Sequence, residues 1–198
     1  MTRIMRDSTS STDIPVLGTA LVAGYVNGLY AWNAAEWARF PGAAHVTIDV
    51  NGSDPRAAVL DVENGDATVS TAVTWVKARQ KLGVANPVIY CNRSGLTPLY
   101  NAMLSVGLKP GHGFRVWLAT LDGTKTVADM TGVVAVQYAG QSLTGGHYDE
   151  SIVYDATWFA ATPPSPPPPP VMHGLVVVSS LAVTPVTSSD GGKTWKKS

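Results

Sequence analysis

Eight short apolar segments recur through the first 160 residues, at 3–6, 21–26, 45–49, 57–62, 87–91, 114–119, 133–138 and, more weakly, 151–154. Each has the length of a strand, and turn residues or helical patterns separate them. The clearest helical pattern covers 67–82, with apolar or small residues at Val69, Ala72, Val73, Val76, Ala78 and Leu82, Asp66 or Thr68 as N-cap and Gly83 as the stop. Further helices are expected at 34–40, 98–106 and 157–161. Buried strands alternating with helices imply a parallel sheet, and eight of them suggest closure into a barrel. The connection between 45–49 and 57–62 is too short for a helix. The expected fold is therefore α/β, an irregular or abbreviated (β/α)8 barrel, with an open doubly wound sheet as the alternative.

The run Ala57-Ala58-Val59-Leu60-Asp61-Val62-Glu63-Asn64 is apolar on both faces and ends in two carboxylates one residue apart. Side chains alternate along a strand, so Asp61 and Glu63 point the same way at its end. Cleavage of a glycosidic bond needs such a pair, one carboxyl protonated to donate to the leaving oxygen and one charged to face the sugar cation. The same pattern also serves as a metal ligand set, a helix cap or a solvated edge. In a barrel, chemistry belongs at the C-terminal strand ends, which here carry Asp7, Asp49, Asp61 with Glu63, Tyr90 with Asn92, Trp117 with Thr120, and Gln137 with Tyr138. Aromatic faces stack on sugar rings, and amides and carboxylates take the hydroxyls. Tyr90, Asn92, Trp117, Gln137 and Tyr138 are therefore candidate glycan-binding residues, although Trp117 and Tyr138 also read as large core residues.

The charge balance narrows the partners. Fourteen basic and fourteen acidic residues give no net charge, which excludes a nucleic-acid or anionic-membrane footprint and suits a neutral polymer such as a glycan. Cys91 is the one cysteine and lies in an apolar run, so a buried thiol is expected and no internal disulfide can form. His45, His112, His147 and His173 show no metal-ligand spacing, and no cofactor or metal site is expected. Arg93-Ser94-Gly95 lacks the first glycine of a nucleophile elbow. Gly192-Lys193-Thr194 ends like a phosphate loop, but Thr187 stands where that loop needs glycine. The first residues turn polar at once, without the apolar core of a signal peptide, and no segment approaches the roughly 20 apolar residues of a membrane span. Synthesis in the cytoplasm is the expectation.

Pro163-Pro164-Ser165-Pro166-Pro167-Pro168-Pro169-Pro170 favours extended polyproline II and reads as a semi-rigid spacer. It divides the chain into a barrel at 1–161, a linker at 162–170 and a tail at 171–198. The tail carries an apolar strand pattern at 174–183 and then Ser188-Ser189-Asp190-Gly191-Gly192-Lys193-Thr194-Trp195, which is similar to the Asp-box turn of sialidases and β-propellers. The tail is too short for a core, so it is expected to pair with another chain or subunit, or with the barrel.

Taken in order, several motifs carry a family resemblance: an Asp on the first strand, Leu60-Asp61-Val62-Glu63, Pro87-Val88-Ile89-Tyr90, Val116-Trp117-Leu118-Ala119, Val136-Gln137-Tyr138-Ala139, and Tyr148-Asp149-Glu150-Ser151. Together they resemble the glycoside hydrolase family 25 lysozymes, and more narrowly the short glycoside-hydrolase-like domains of actinobacteria and their phages, over residues 3–159. The resemblance implies an irregular (β/α) barrel that cleaves peptidoglycan between N-acetylmuramic acid and N-acetylglucosamine, often as a phage endolysin acting at the bacterial cell wall. It implies Glu63 as general acid, Asp61 as its stabilising partner, and Asp7 and Asp149 as flanking carboxylates. Asp13 is the alternative to Asp7, and Asp155 the alternative to Asp149. The alternative function is a catalytically inactive glycan-binding or assembly module of a phage virion.

Overall fold

The computed structural model of the chain describes residues 3–155, 157–160, 186–187 and 196–197. The chain divides into two units, Met1–Pro163 and Pro164–Ser198. In the second, β10 (Val186–Thr187) pairs antiparallel with β11 (Lys196–Lys197). The expected proline spacer, the strand at 174–183 and the Asp-box-like turn lie outside the described residues. Among those described, no helix is long and apolar enough to cross a membrane.

The first unit is a closed ring of eight strands. Going round it, β5 (Val88–Asn92), β4 (Val59–Asp61), β3 (Ala44–Asp49), β2 (Leu21–Tyr25), β1 (Arg3–Asp7), β9 (Asp149–Val153), β8 (Val133–Ala139) and β7 (Gly113–Ala119) are neighbours, and β7 closes back onto β5. The two-residue β6 (Lys109–Pro110) sits beside β7. Seven strands of the ring run parallel. The eighth corrects the all-parallel expectation: β9 is antiparallel to both β1 and β8, because only the four-residue α4 (Gln141–Thr144) precedes it and no long crossover returns the chain to the base. It also starts two residues before the expected segment.

Full crossover helices flank β5 alone. α2 (Val69–Lys81) starts at Thr68, whose hydroxyl accepts the Thr71 N–H at 3.1 Å, and stops before Gly83 at φ 89°. It buries Ala72, Trp75, Val76 and Arg79, the i, i+3, i+4, i+7 stripe of an amphipathic helix. α3 (Arg93–Ser105) begins five residues before the expected start, because Asn92 caps it and Pro98 is carried inside. α1 (Ala34–Trp37) is shorter than expected and stops ahead of Pro41 and Gly42, and α5 (Thr157–Ala160) follows β9.

Strand alternation divides the core. Leu60, Ile89, Cys91, Val116, Leu118 and Val136 face outward onto Trp75, Val76, Leu99 and Met103 of the two long helices. Met5, Leu21, Ala23, Val46, Ile48, Val59, Val88, Trp117, Ala135 and Val153 fill a second cluster, one residue out of step with the first. Each fully buried aliphatic contributes about 1.5–3 kcal/mol. The same step continues to the strand ends as Asp7, Tyr25, Asp61, Tyr90, Gln137 and Asp149, polar groups placed where the apolar barrel interior meets a cleft.

Candidate active site

The cleft at the mouth is lined by Asp7, Tyr25, Ile48, Asp61, Glu63, Tyr90, Trp117, Leu121, Gln137 and Asp149 around a hollow of about 200 Å³. Tyr25, Asp61 and Glu63 also border a larger hollow of about 550 Å³, lined further by Asn27, Leu29, Tyr30 and Asp66. A third, of about 290 Å³, lies between Glu63 and the start of α3. Glu63 borders all three, a position open to a chain lying across the mouth.

Asp7 and Asp61 are deeply buried, and in each Oδ1 accepts no hydrogen bond from the protein. Burial, with Asp149 nearby, holds the Asp7 carboxyl well above the usual carboxylate range. Burial does the same to Asp61, reinforced by Glu63, Asp66 and Asp7. Glu63 is half-buried and also raised by burial, against an opposing hydrogen bond from Asn92, with Asp66 and Asp149 adding to the rise. Asp149 is raised by burial and held back by the Gln141 backbone N–H. Four carboxyls with enhanced proton affinity therefore share one cleft. Such a group can hold a proton on one member while another stays ionised.

Gln137 ties part of this set together. Its amide nitrogen donates to Asp7 Oδ2 at 3.1 Å and to Asp149 Oδ2 at 2.9 Å, and its oxygen accepts the Tyr90 hydroxyl at 2.5 Å. Both amide protons are thus committed to carboxylates, so Gln137 is a clamp inside the site and has none left for a sugar hydroxyl. Trp117 lies under the cleft at 1 % exposure, edge-on to Tyr90 with centroids 4.9 Å apart, its indole N–H donating to Ser151 Oγ at 2.9 Å. It forms the floor and offers no open face for stacking.

The remaining sequence candidates fall elsewhere. Tyr138 follows Gln137 and so faces outward, where its hydroxyl donates to Glu150 at 2.8 Å and Lys125 stands over its ring. Asn92 spends its carbonyl oxygen on Gly95 N–H at 2.9 Å and Ser94 Oγ at 2.7 Å as the α3 cap, while it also hydrogen-bonds Glu63 and lines the third hollow beside it. Asp155 pairs with Arg115 at 3.1 Å and accepts the Thr157 N–H, away from the cleft. Asp13 sits in a short 3-10 turn and does not line the cleft, whereas Asp7 does. Asp49 is fully buried as a loop organiser: its carboxylate accepts Asn27 Nδ2, the backbone N–H groups of Asn51, Gly52 and Asp54, and Trp75 Nε1, at 2.8–3.1 Å. Cys91 is buried and free, and burial pushes its thiol up to about 12. Tyr25 and Asp66 were missed from sequence, although Tyr25 ends β2 and follows the strand-end rule that selected the others. Among the described residues, no group of three or more His, Cys, Asp or Glu side chains is arranged to hold a metal ion.

No protein-family model matches the sequence, and no curated protein matches it either. Among solved structures the chain is similar to a family 25 glycosyl hydrolase from Bacillus anthracis, with a TM-score of 0.51 and 11 % identity over 80 % of this chain and 91 % of that one. It is also similar to a muramidase from Acremonium alcalophilum, with a TM-score of 0.50 and 15 % identity over 80 % of this chain and 98 % of that one. The likeness is one of fold: the first unit has the irregular barrel of the family 25 lysozymes.

Proposed function

We propose that the chain is a glycoside hydrolase of the muramidase type, cutting the glycan strand of peptidoglycan with Glu63 as proton donor. The observation that carries this reading is the meeting of Asp7, Asp61, Glu63 and Asp149 in one cleft at the barrel mouth, each with raised proton affinity. The fold shared with the two hydrolases supports it. Glu63, at the junction of three hollows, gives its proton to the leaving oxygen as the bond to the anomeric carbon breaks. The members of the Asp61, Asp7 and Asp149 set that stay ionised supply negative charge to the cation that develops there, and a water completes the hydrolysis by adding its oxygen to the anomeric carbon and returning a proton to the Glu63 carboxylate.

The test is release of reducing ends from purified bacterial peptidoglycan. Glu63→Gln keeps the shape and removes the acid, so the rate is expected to fall roughly 100-fold or more while glycan binding persists. Equal rates in parent and variant would remove Glu63 from the role. A parent that binds glycan and cuts nothing would make the domain a binding module.

A further inference from the structure

Leu121 is the one non-glycine residue with positive φ among those described, at 55°. Bulky side chains avoid that region, so the surroundings must impose it. They do: the N–H groups of Thr120 and Leu121 both donate to the Gln137 carbonyl, at 2.9 and 3.1 Å, and the Thr120 hydroxyl joins them at 3.2 Å. The turn is pinned to the strand that carries the carboxylate clamp. Its side chain lines the carboxylate hollow yet is 47 % exposed, while the other aliphatic there, Ile48, is buried in the floor. A Cβ built on Gly140 would stand 3.6 Å from Leu121 Cδ2 and 3.7 Å from Asp149 Oδ1. A methyl group and a carboxylate oxygen therefore both border the small open space over Gly140, a residue with no side chain to fill it.

That pairing is complementary to an acetamido group, whose N–H suits the carboxylate and whose methyl suits the leucine. A sugar hydroxyl would use the acid alone, and a ring face would call for an aromatic. We infer that Leu121 determines specificity by packing on the acetamido methyl of a bound hexosamine whose N–H meets Asp149. The inference rests on the glycan-cleaving reading above.

The test compares glycan strands freed from bacterial peptidoglycan by an amidase with the same strands after chemical removal of their acetyl groups. Binding is measured by calorimetry and cleavage by reducing-end release, using the full chain. The parent is expected to favour acetylated strands by about 10-fold or more. Leu121→Gly and Leu121→Asn, both at ease at positive φ, are expected to bring that ratio close to one with a Tm within about 4 °C of the parent. A parent indifferent to acetylation, or variants that keep the preference, would overturn the assignment of Leu121 and leave the hydrolase reading standing. Acetyl-dependent binding that Leu121→Gly abolishes, in a protein that cuts neither strand, would uphold Leu121 and overturn the hydrolase. Neither binding nor cleavage would overturn both.

Discussion

At Gln137 one amide holds two carboxyl groups, and the orientation of that amide is set by Tyr90, whose hydroxyl occupies the oxygen and leaves the nitrogen for the aspartates. Hydrogen bonds to a carboxylate favour its ionised form. Gln137→Leu is therefore expected to raise the proton affinity of Asp7 and Asp149 further, moving the acidic limb of the pH–rate profile to higher pH. Losing donors to buried acids costs about 1–3 kcal/mol. A pH–rate profile beside a melting curve checks both effects, and an unmoved limb would reduce Gln137 to packing. Asp7, Asp61 and Glu63 are legible in the sequence because charged residues ending apolar strands stand out, whereas Asp149, which begins its strand, is reached only through the motif resemblance. Tyr138 is taken along with Gln137 because the choice between adjacent residues depends on which face of the strand is inward, and an apolar run buried on both faces hides that parity. Asn92 has a second use that its position does not announce, since a polar residue at a strand end serves equally as the cap of the next helix.

Among the elements, the strands were the legible part, since each is an apolar run of the right length bounded by turn residues. Helix starts were less so: Asn92-Arg93-Ser94-Gly95 reads locally as a turn, and only its place after a buried strand makes it the first turn of α3. The reversal of β9 left no mark, because strand direction follows from the connection that precedes it. The base of the barrel carries a tighter constraint. Gly132, at φ 75°, lies against β6, and a Cβ there would stand 2.6 Å from the Gly111 nitrogen and 2.9 Å from the Pro110 carbonyl carbon. Backbone cannot step aside as a flexible side chain does, so Gly132→Ala is expected to cost about 1–3 kcal/mol. That lowers Tm by about 2–4 °C for each kcal/mol. Since Gly132 precedes β8 at the end away from the cleft, activity per folded molecule should hold, which a thermal melt paired with an assay would show.

For the molecule as a whole, the buried acids set how stability responds to pH. Asp7, Asp61, Glu63 and Asp149 all bind protons more tightly folded than unfolded. Their contribution is complete below the ordinary carboxylate value of about 4 and is lost as pH rises through the higher folded values. Asp122, Asp129 and Asp155, held low by Thr124, Thr131 and Thr157, act in the opposite sense, and only below that ordinary value. The Tm is therefore expected to rise as pH is lowered from 7 toward 5, and to rise less in Asp7→Asn or Asp61→Asn. Melting curves across that interval decide it, and a Tm that falls steadily on acidification would mean the cleft acids do not carry protons into the folded state.

The antiparallel closing strand has one more effect. Because β9 runs from mouth to base while β1 runs from base to mouth, Arg3 is paired with Val153 across the ladder that joins them. The first and last rungs of the barrel thus meet at a seam on the side away from the cleft. In a chain cut back to the barrel unit, a short peptide joining its two ends across that seam would turn the barrel into a ring without a free end. The chain could then be reopened at a loop of the base, giving a circular permutant in which every carboxylate of the mouth keeps its neighbours.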